Sequence, residues 1–450
     1  MNSAEFFSRI FLRPWPRMAK GICSALTAVL VLPFSAFAAT DQYSFELDEF
    51  EKKSFQWNGY LETTLEHRRK NQDSAFARLS ALDRPADDRL DKISAAVQLS
   101  GSYNRDTLSL HWTIQGTAEQ DDHDWDDTVD LFEGYGSFQP TRRAAFVLGK
   151  KSFKWGKGYA WNPVGFINRS KDPENPEEAL EGYVTATADL VRSFSGPLRT
   201  AALTVALLPV WQGVNEDFGH ADHVNGAARI SLLYRDTDID FLMLVGASRA
   251  TGFGMDFSRN LATNIEVHGE LAFTAARERK WLSRDNTLQS RAVSDTSYLA
   301  GIRYLTETDL TAIIEYYHNG DGFAPEELDR FYQAVADGHD RFLATGSTDG
   351  LQRAKTISMT GYGAPQPGRD YLYARFSQKE PFDILYLTPA FTAIVNLGDM
   401  SASCTPEIIY TGVTNLEMRL RLTLLVGHAA TEYGEKMNTS KLEARLRYFF

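Results

Sequence analysis

Apolar and polar residues alternate strictly along several segments of the chain, most clearly in the segment that ends at Phe450. Residues 441–450 place five apolar or aromatic side chains on one face and four charged side chains on the other. The same pattern recurs in residues 108–114, 265–271, 298–304 and 416–424. A period of two residues predicts β-strands with one apolar and one polar face, and a helix cannot use such a pattern.

The connections between the candidate strands alternate between very short and long ones. The short connections are rich in turn-forming residues and comprise 104–106, 139–143, 195–197, 235–237, 260–263, 306–308, 379–382 and 413–415. The long connections comprise 67–88, 118–127, 156–182, 211–223, 249–252, 275–295, 320–368, 397–404 and 428–437. This division predicts about 18 strands, within a range of about 16 to 20. An even strand number with short turns on one side is typical of bacterial transmembrane barrels.

Composition supports a membrane barrel rather than a helical membrane protein. After residue 38 no apolar run reaches the ~18 residues that a transmembrane helix needs. Mean hydropathy is only −0.32, although 12% of the residues are aromatic. A barrel strand shows lipid an apolar residue only at every second position, so its hydropathy stays modest. We therefore predict an all-β, antiparallel, up-and-down transmembrane β-barrel with short periplasmic turns and long extracellular loops; for any single strand, a soluble half-buried strand remains the alternative.

The last strand resembles that of the outer-membrane β-barrel proteins of Gram-negative bacteria, which typically ends in phenylalanine after alternating apolar residues. Phe450 occupies that position here. The resemblance implies an outer-membrane location and assembly by the barrel assembly machinery. It also implies that outer-membrane lipid and lipopolysaccharide surround the protein.

The first 38 residues predict a cleaved secretory signal peptide. Four basic residues precede an apolar run from Ile22 to Phe37, and small residues close it at Ala36 and Ala38. An N-terminal membrane anchor is the alternative. Residues 39–53 then form a short periplasmic segment that is too small for a folded plug, and residues 54–450 form the barrel. Cys404 is the only cysteine outside the signal, so the mature chain can form no intramolecular disulfide.

The net charge argues against nucleic acid as a partner. Removing the signal, with its four basic residues and one acidic residue, changes the formal charge from −12 to −15. An acidic chain is a poor match for nucleic acid. We also predict no enzyme activity and no cofactor, because the nine histidines are scattered and no Ser–His spacing stands out. Acidic and histidine residues at 121–127 and 220–223 fall in predicted outer loops, and we predict no metal site there.

The polar faces of the strands predict a strongly charged lumen. The candidate pore-lining residues are Arg229, Glu266, Glu270, Arg303, Glu315, Arg375, Arg419, Arg421, Arg445 and Arg447. So many charges at membrane depth must face water or each other, since an arginine facing lipid costs about 2–4 kcal/mol. Two interpretations remain open: cross-strand ion pairs that stiffen the wall, or unpaired arginines that attract anionic solutes.

The stretch 148–163, with its basic residues, Trp155-Gly156 and Asn162-Pro163, resembles barrels of the alginate-export type. We therefore consider the following loop, 156–182, a candidate constriction that folds into the lumen. Its candidate residues are Lys150, Lys154, Trp155, Tyr159 and Trp161. The aromatic rings would stack on sugars while the lysines attract carboxylates. The alternative is an interfacial aromatic girdle whose lysines meet lipid head groups.

Residues 324–335 in the longest loop place apolar residues at helical spacing after Pro325, which predicts a helix capable of capping the barrel mouth. The sequence as a whole predicts an outer-membrane channel that passes small solutes or an anionic polysaccharide. The alternative is a barrel closed by its own loops that binds a surface glycan or serves a structural role.

Overall fold

The computed structural model describes residues 54–83, 89–122, 124–285 and 287–450. The predicted signal peptide and the segment 39–53 lie outside the described residues. None of the helices in the described ranges is both long enough and apolar enough to cross a membrane.

Eighteen antiparallel strands form one closed ring, which confirms the predicted barrel. Each strand pairs with the next along the chain, and β18 pairs with β1. The strands are β1 Phe55–Lys70, β2 Arg89–Arg105, β3 Leu108–Gln120, β4 Trp125–Thr141, β5 Ala144–Lys151, β6 Tyr183–Ser193, β7 Leu198–Val210, β8 His223–Tyr234, β9 Thr237–Val245, β10 Thr251–Ala262, β11 Ile265–Leu282, β12 Leu288–Leu305, β13 Leu310–His318, β14 Asp370–Gln378, β15 Leu387–Asn396, β16 Ala402–Val413, β17 Leu416–Val426 and β18 Asn438–Phe449.

The two faces of the strands follow the alternation in the sequence. On β1, Leu61 and Leu65 are exposed on the outer face, whereas Thr64 between them is buried inside the ring. The end of the chain completes the closure, because the backbone of Phe450 exchanges two hydrogen bonds with Gly59 at 3.0 and 3.1 Å. The aromatic ring of Phe450 also lies 5.8 Å from that of Trp57. The outer face is therefore apolar, and polar side chains collect in the lumen.

All eight predicted turns join strands at one end of the barrel, and the long loops lie at the other end. Two predicted loops are shorter than expected. Strand β3 ends at Gln120 and β4 begins at Trp125, both inside the predicted loop 118–127. Strands β11 and β12 continue through most of residues 275–295 and leave only a tip between Leu282 and Leu288. A bulge follows Thr274, and beyond it the hairpin is polar on both faces. That part lacks the alternation that marks a membrane strand, because it extends beyond the apolar band.

The predicted helix in the longest loop is present and longer than predicted. Helix α1 spans Ala75–Ser80, α2 spans Pro325–Thr345 and α3 spans Asp349–Ile357. The apolar faces of α2 and α3 pack with Leu79 of α1 and with Leu282 at the tip of β11. The β1–β2 and β13–β14 loops therefore meet at the loop end of the barrel and share one apolar cluster.

Candidate functional site

The β5–β6 connection, residues 152–182, folds into the barrel and is called here the constriction loop. Trp155 is 2% exposed, Ile167 is 1% exposed, and Val164 is fully buried. These residues pack on inward-facing apolar side chains of β7, β8, β9 and β11. Gly156 allows the loop to turn here, because its φ is +102° and a Cβ would lie 2.7 Å from the Glu270 carboxylate.

Two buried carboxylates of the barrel wall hold the constriction loop. Glu270 accepts hydrogen bonds from the backbone N–H groups of Lys157 and Gly158, both at 2.6 Å, and of Val164 at 3.2 Å. Glu315 accepts the backbone N–H groups of Tyr159 and Ala160. A carboxylate is an efficient partner for several backbone donors. Both residues were predicted to line the pore; they face the interior as predicted, but the loop covers them.

The aromatic residues predicted at the constriction belong to the packing of the loop. The ring of Trp161 stacks on Tyr317 at 5.1 Å and also contacts Tyr371 and Tyr373. Trp155 is buried, as described above. Tyr159 donates its hydroxyl hydrogen to Glu177 at 2.9 Å. Rings held in this way are not free to stack on a passing sugar.

The lysines of this region are divided between two roles. Lys150 forms an ion pair with Glu181, and Lys157 lies 3.2 Å from Asp240 on β9. Lys154 is exposed. Of these three lysines, only Lys154 keeps an exposed position from which it can attract a carboxylate.

Five arginines on strands β14, β17 and β18 form a continuous basic surface, called here the arginine wall: Arg375, Arg419, Arg421, Arg445 and Arg447. All five lie within 4 Å of a glutamate carboxylate. The glutamates involved are Glu62, Glu407, Glu417 and Glu443. The ion-pair interpretation therefore describes this wall better than the interpretation with unpaired arginines.

The pairing nevertheless leaves positive charge in excess. Glu407 is buried and serves three arginines, Arg421 at 2.6 Å, Arg375 at 3.1 Å and Arg419 at 3.6 Å. The Nε atom of Arg419 has no hydrogen-bond partner within the described part of the chain. Arg419 also lies 3.3 Å from Glu417, so the wall as a whole has five arginines against four glutamates and keeps a formal excess of one positive charge. Sequence reasoning missed Glu407, because β16 lacks clear alternation around Pro406.

An acidic edge of the constriction loop lies beside part of this wall. It comprises Glu174, Glu177 and Glu178. Glu178 lies close enough to Arg445 to interact with it electrostatically. Glu174 accepts a hydrogen bond from Ser403 of β16 at 2.8 Å, which ties the loop to the wall. The sequence contains these carboxylates, but their position beside the wall depends on how the loop folds.

The remaining predicted pore-lining residues lie elsewhere on the inner surface. The guanidinium of Arg229 lies 5.7 Å from the Trp155 ring, beneath the constriction loop. Glu266 accepts a hydrogen bond from Ser258 at 3.0 Å. Arg303 is exposed near the turn end of β12. Arg229 therefore contacts the constriction loop, and neither Glu266 nor Arg303 belongs to the arginine wall.

A second buried network ties the loops together at the mouth. Glu432 in the β17–β18 loop accepts hydrogen bonds from the Tyr371 hydroxyl at 2.5 Å and from Asn396 at 2.7 Å. Burial raises the pKa of Glu432 to about 7, although nearby Lys436 opposes the shift. Lys436 itself donates to the backbone carbonyl of Pro365 at 2.8 Å. Within the described ranges no three His, Cys, Asp or Glu side chains are grouped to hold a metal ion.

The chain is similar to solved structures of outer-membrane proteins at low sequence identity. A BenF-like porin from Pseudomonas fluorescens Pf-5 matches 88% of this chain and 99% of its own length, with a TM-score of 0.53 and 11% identity. Pseudomonas aeruginosa OccK11 (OpdR) matches 88% of this chain and 96% of its own, with a TM-score of 0.49 and 10% identity. No protein-family model matches the chain, and neither does any curated protein. The likeness to the first porin shows a shared barrel fold; the alginate-export resemblance stays a prediction.

Proposed function

We propose that the protein is an outer-membrane channel for small solutes and that it favours anions. The observation that carries this proposal is the arginine wall, in which three arginines surround the Glu407 carboxylate and five arginines in all face four glutamates. The wall lies inside a barrel narrowed by the constriction loop. In a confined passage with low-dielectric walls, such an excess of positive charge raises the local concentration of anions.

The same geometry suits small carboxylates in particular. Planar guanidinium groups bind carboxylates through paired hydrogen bonds. The acidic edge of the constriction loop borders the same wall, so a solute with both charges would find a partner for each of them. Small anionic or zwitterionic solutes are therefore the substrate class that fits this site.

An anionic polysaccharide fits the site less well. Trp155 and Trp161 are packed into the apolar contacts of the loop, so they offer no ring surface to a sugar chain. Two observations favour the closed-barrel alternative: the loops at the mouth share an apolar cluster, and the Glu432 network ties them together. Bilayer recordings distinguish a channel from a closed barrel directly, since a closed barrel gives no ohmic steps.

The test is the ion selectivity of the purified protein in planar bilayers under a salt gradient. Wild type should give ohmic steps with a reversal potential that indicates anion preference. Arg419→Gln should move the potential toward cations, because it removes positive charge beside Glu407. The shift should shrink at high salt as the Debye length falls from about 10 Å at 0.1 M to about 3 Å at 1 M.

Arg341→Gln provides the matched control. Arg341 is exposed on α2, outside the barrel, so the same charge change there should leave the reversal potential nearly unaltered. If Arg419→Gln and Arg341→Gln shift the potential equally, the arginine wall does not set selectivity. Absence of any conductance in wild type would favour the closed barrel.

A further inference from the structure

A groove of about 770 Å³ crosses the outer face of strands β2–β7. Outward-facing apolar side chains form its walls, among them Leu108, Leu110, Phe138, Phe146 and Leu148, which are 44–69% exposed. The groove is separate from the lumen, because these side chains lie on the face opposite to the constriction loop. In a membrane, this face meets lipid rather than water.

Small residues create the depth of the groove. Gly136, Ala186 and Ala188 line it between the larger side chains. A Cβ added at Gly136 would meet only the Leu110 side chain, at 3.5 Å, so the space above this glycine is open. Within a bilayer, association depends on van der Waals packing rather than on exclusion of water. A concave surface of this kind gives an acyl chain more contacts than a flat barrel wall does.

Basic residues gather at the turn end of the same strands. Arg105 lines the groove there, and the outward-facing Arg192 lies with its guanidinium 5.1 Å from the ring of Phe194. The three turn regions 104–109, 140–145 and 192–199 contain five arginines and one aspartate. By contrast, the turn regions 304–311 and 377–388 together contain one lysine and four acidic residues. The turn regions on the side of the groove are therefore more basic than these two.

We propose that this groove is a binding site for one anionic phospholipid of the periplasmic leaflet. The acyl chains pack over Gly136 and Ala188, and the phosphate group binds at Arg105, which lines the groove. Long arginine side chains at a membrane interface reach the head-group level while their stems stay on apolar surface, and basic residues there attract anionic lipid. The proposal depends on the membrane location of the barrel and is independent of whether the lumen conducts.

The test is native mass spectrometry of the full-length mature protein, delipidated in detergent and then incubated with dioleoylphosphatidylglycerol or dioleoylphosphatidylcholine. Wild type should retain one phosphatidylglycerol under activation that removes the other lipids, and it should retain less phosphatidylcholine. Ala188→Phe fills the groove and should lower the retained fraction about tenfold, a loss of roughly one decade in affinity. Arg105→Ala should abolish the preference for phosphatidylglycerol.

Ala300→Phe is the matched control, since Ala300 is an exposed residue on β12, away from the groove. It should retain lipid as wild type does, and heat-modifiable migration on gels verifies that each variant is folded. If Ala188→Phe fails to fold, Ala186→Leu replaces it. Equal retention by wild type and the folded groove variant would overturn the proposal. So would a multi-chain mass that the groove variant reduces to a single chain, because the groove would then be an interface between copies.

Discussion

At the scale of single residues, the position of the constriction loop depends on carboxylates that are buried in the wall. Glu270 is 4% exposed and Glu315 is fully buried, yet each is satisfied by donors from the loop. A buried carboxylate without such donors would be costly. The constriction loop and the two glutamates therefore stabilise each other.

Replacing Glu270 by glutamine tests this dependence. An amide can present one oxygen, so at least one of the backbone N–H groups of Lys157, Gly158 and Val164 loses its acceptor. Each buried donor left without a partner costs about 1–3 kcal/mol. We expect the E270Q channel to show larger and noisier conductance in bilayers, because the loop is released. Glu266→Gln, on the same strand, is the control and should conduct as wild type does.

Glu432 makes the stability of the loop junction at the mouth depend on pH. Its pKa in the folded protein is about 7, above the ordinary value of about 4.3 for a glutamate in an unfolded chain. The stability that it contributes is therefore fully present below the ordinary value and is lost as the pH rises through about 7. The loop junction at the mouth should weaken in this interval.

Hydrogen exchange of residues 427–437 measures the effect. After correction for the intrinsic pH dependence of exchange, these amides should be better protected at about pH 5 than at about pH 8, across the interval set by the two pKa values. Glu432→Gln should remove most of the difference, because it cannot ionise. Glu326→Gln, at an exposed position on α2, should keep it. A pH difference that persists in E432Q would assign the effect to another group.

At the scale of elements, the last strand closes the barrel through its final residue. Gly59 of β1 accommodates this contact, because a Cβ there would lie 2.8 Å from the ring of Phe450. The strand was predicted from alternation alone, and the pairing of β18 with β1 confirms it. The contact gives the terminal residue a structural role in the folded barrel, in addition to the role in assembly that the family resemblance implies.

Deleting Phe450 should reduce the amount of heat-modifiable protein in outer-membrane fractions. The deletion removes two backbone hydrogen bonds at the closing seam, each with a net value of about 0.5–1.5 kcal/mol. Phe450→Leu keeps the backbone bonds and removes only the aromatic ring, so its yield should lie between those of the deletion and wild type. Equal yields from all three proteins would show that the terminal residue matters for neither closure nor assembly.

At the scale of the whole molecule, the two ends of the barrel differ in the length of their connections, as the sequence predicts. Short turns occupy one end, and at the other end helices and loops share an apolar cluster. Bacterial barrels place short turns in the periplasm and long loops outside. Met359, which is 83% exposed, should therefore face the medium, and Phe382, which is 94% exposed, should face the periplasm.

Cysteine labelling on whole cells tests this orientation. In a Cys404→Ser background, Met359→Cys should react with a membrane-impermeant thiol reagent, because its side chain lies on the extracellular loops. Phe382→Cys should react only after the outer membrane is permeabilised. The reverse labelling pattern would invert the assignment of the two ends. The long loops, including the constriction loop, would then enter from the periplasmic side.

The barrel could be predicted from the sequence, because period-two alternation and turn chemistry are local properties of the chain. It predicted all eight turns, the strand number and the inward direction of the charged residues. It misplaced the connection at 275–295, since a hairpin that extends into water needs no apolar face. It also missed Glu407, on a strand without clear alternation.

Which charged side chains contact each other could be seen only in the folded barrel. Glu270 and Glu315 look like pore-lining residues from alternation, yet they bind the backbone of a loop that is more than 100 positions away in sequence. The arginines look unpaired until the strands close and bring Glu62 of β1 beside Arg447 of β18. Alternation specifies the face on which a side chain lies, whereas its partners depend on strand register and on the path of the loop through the lumen.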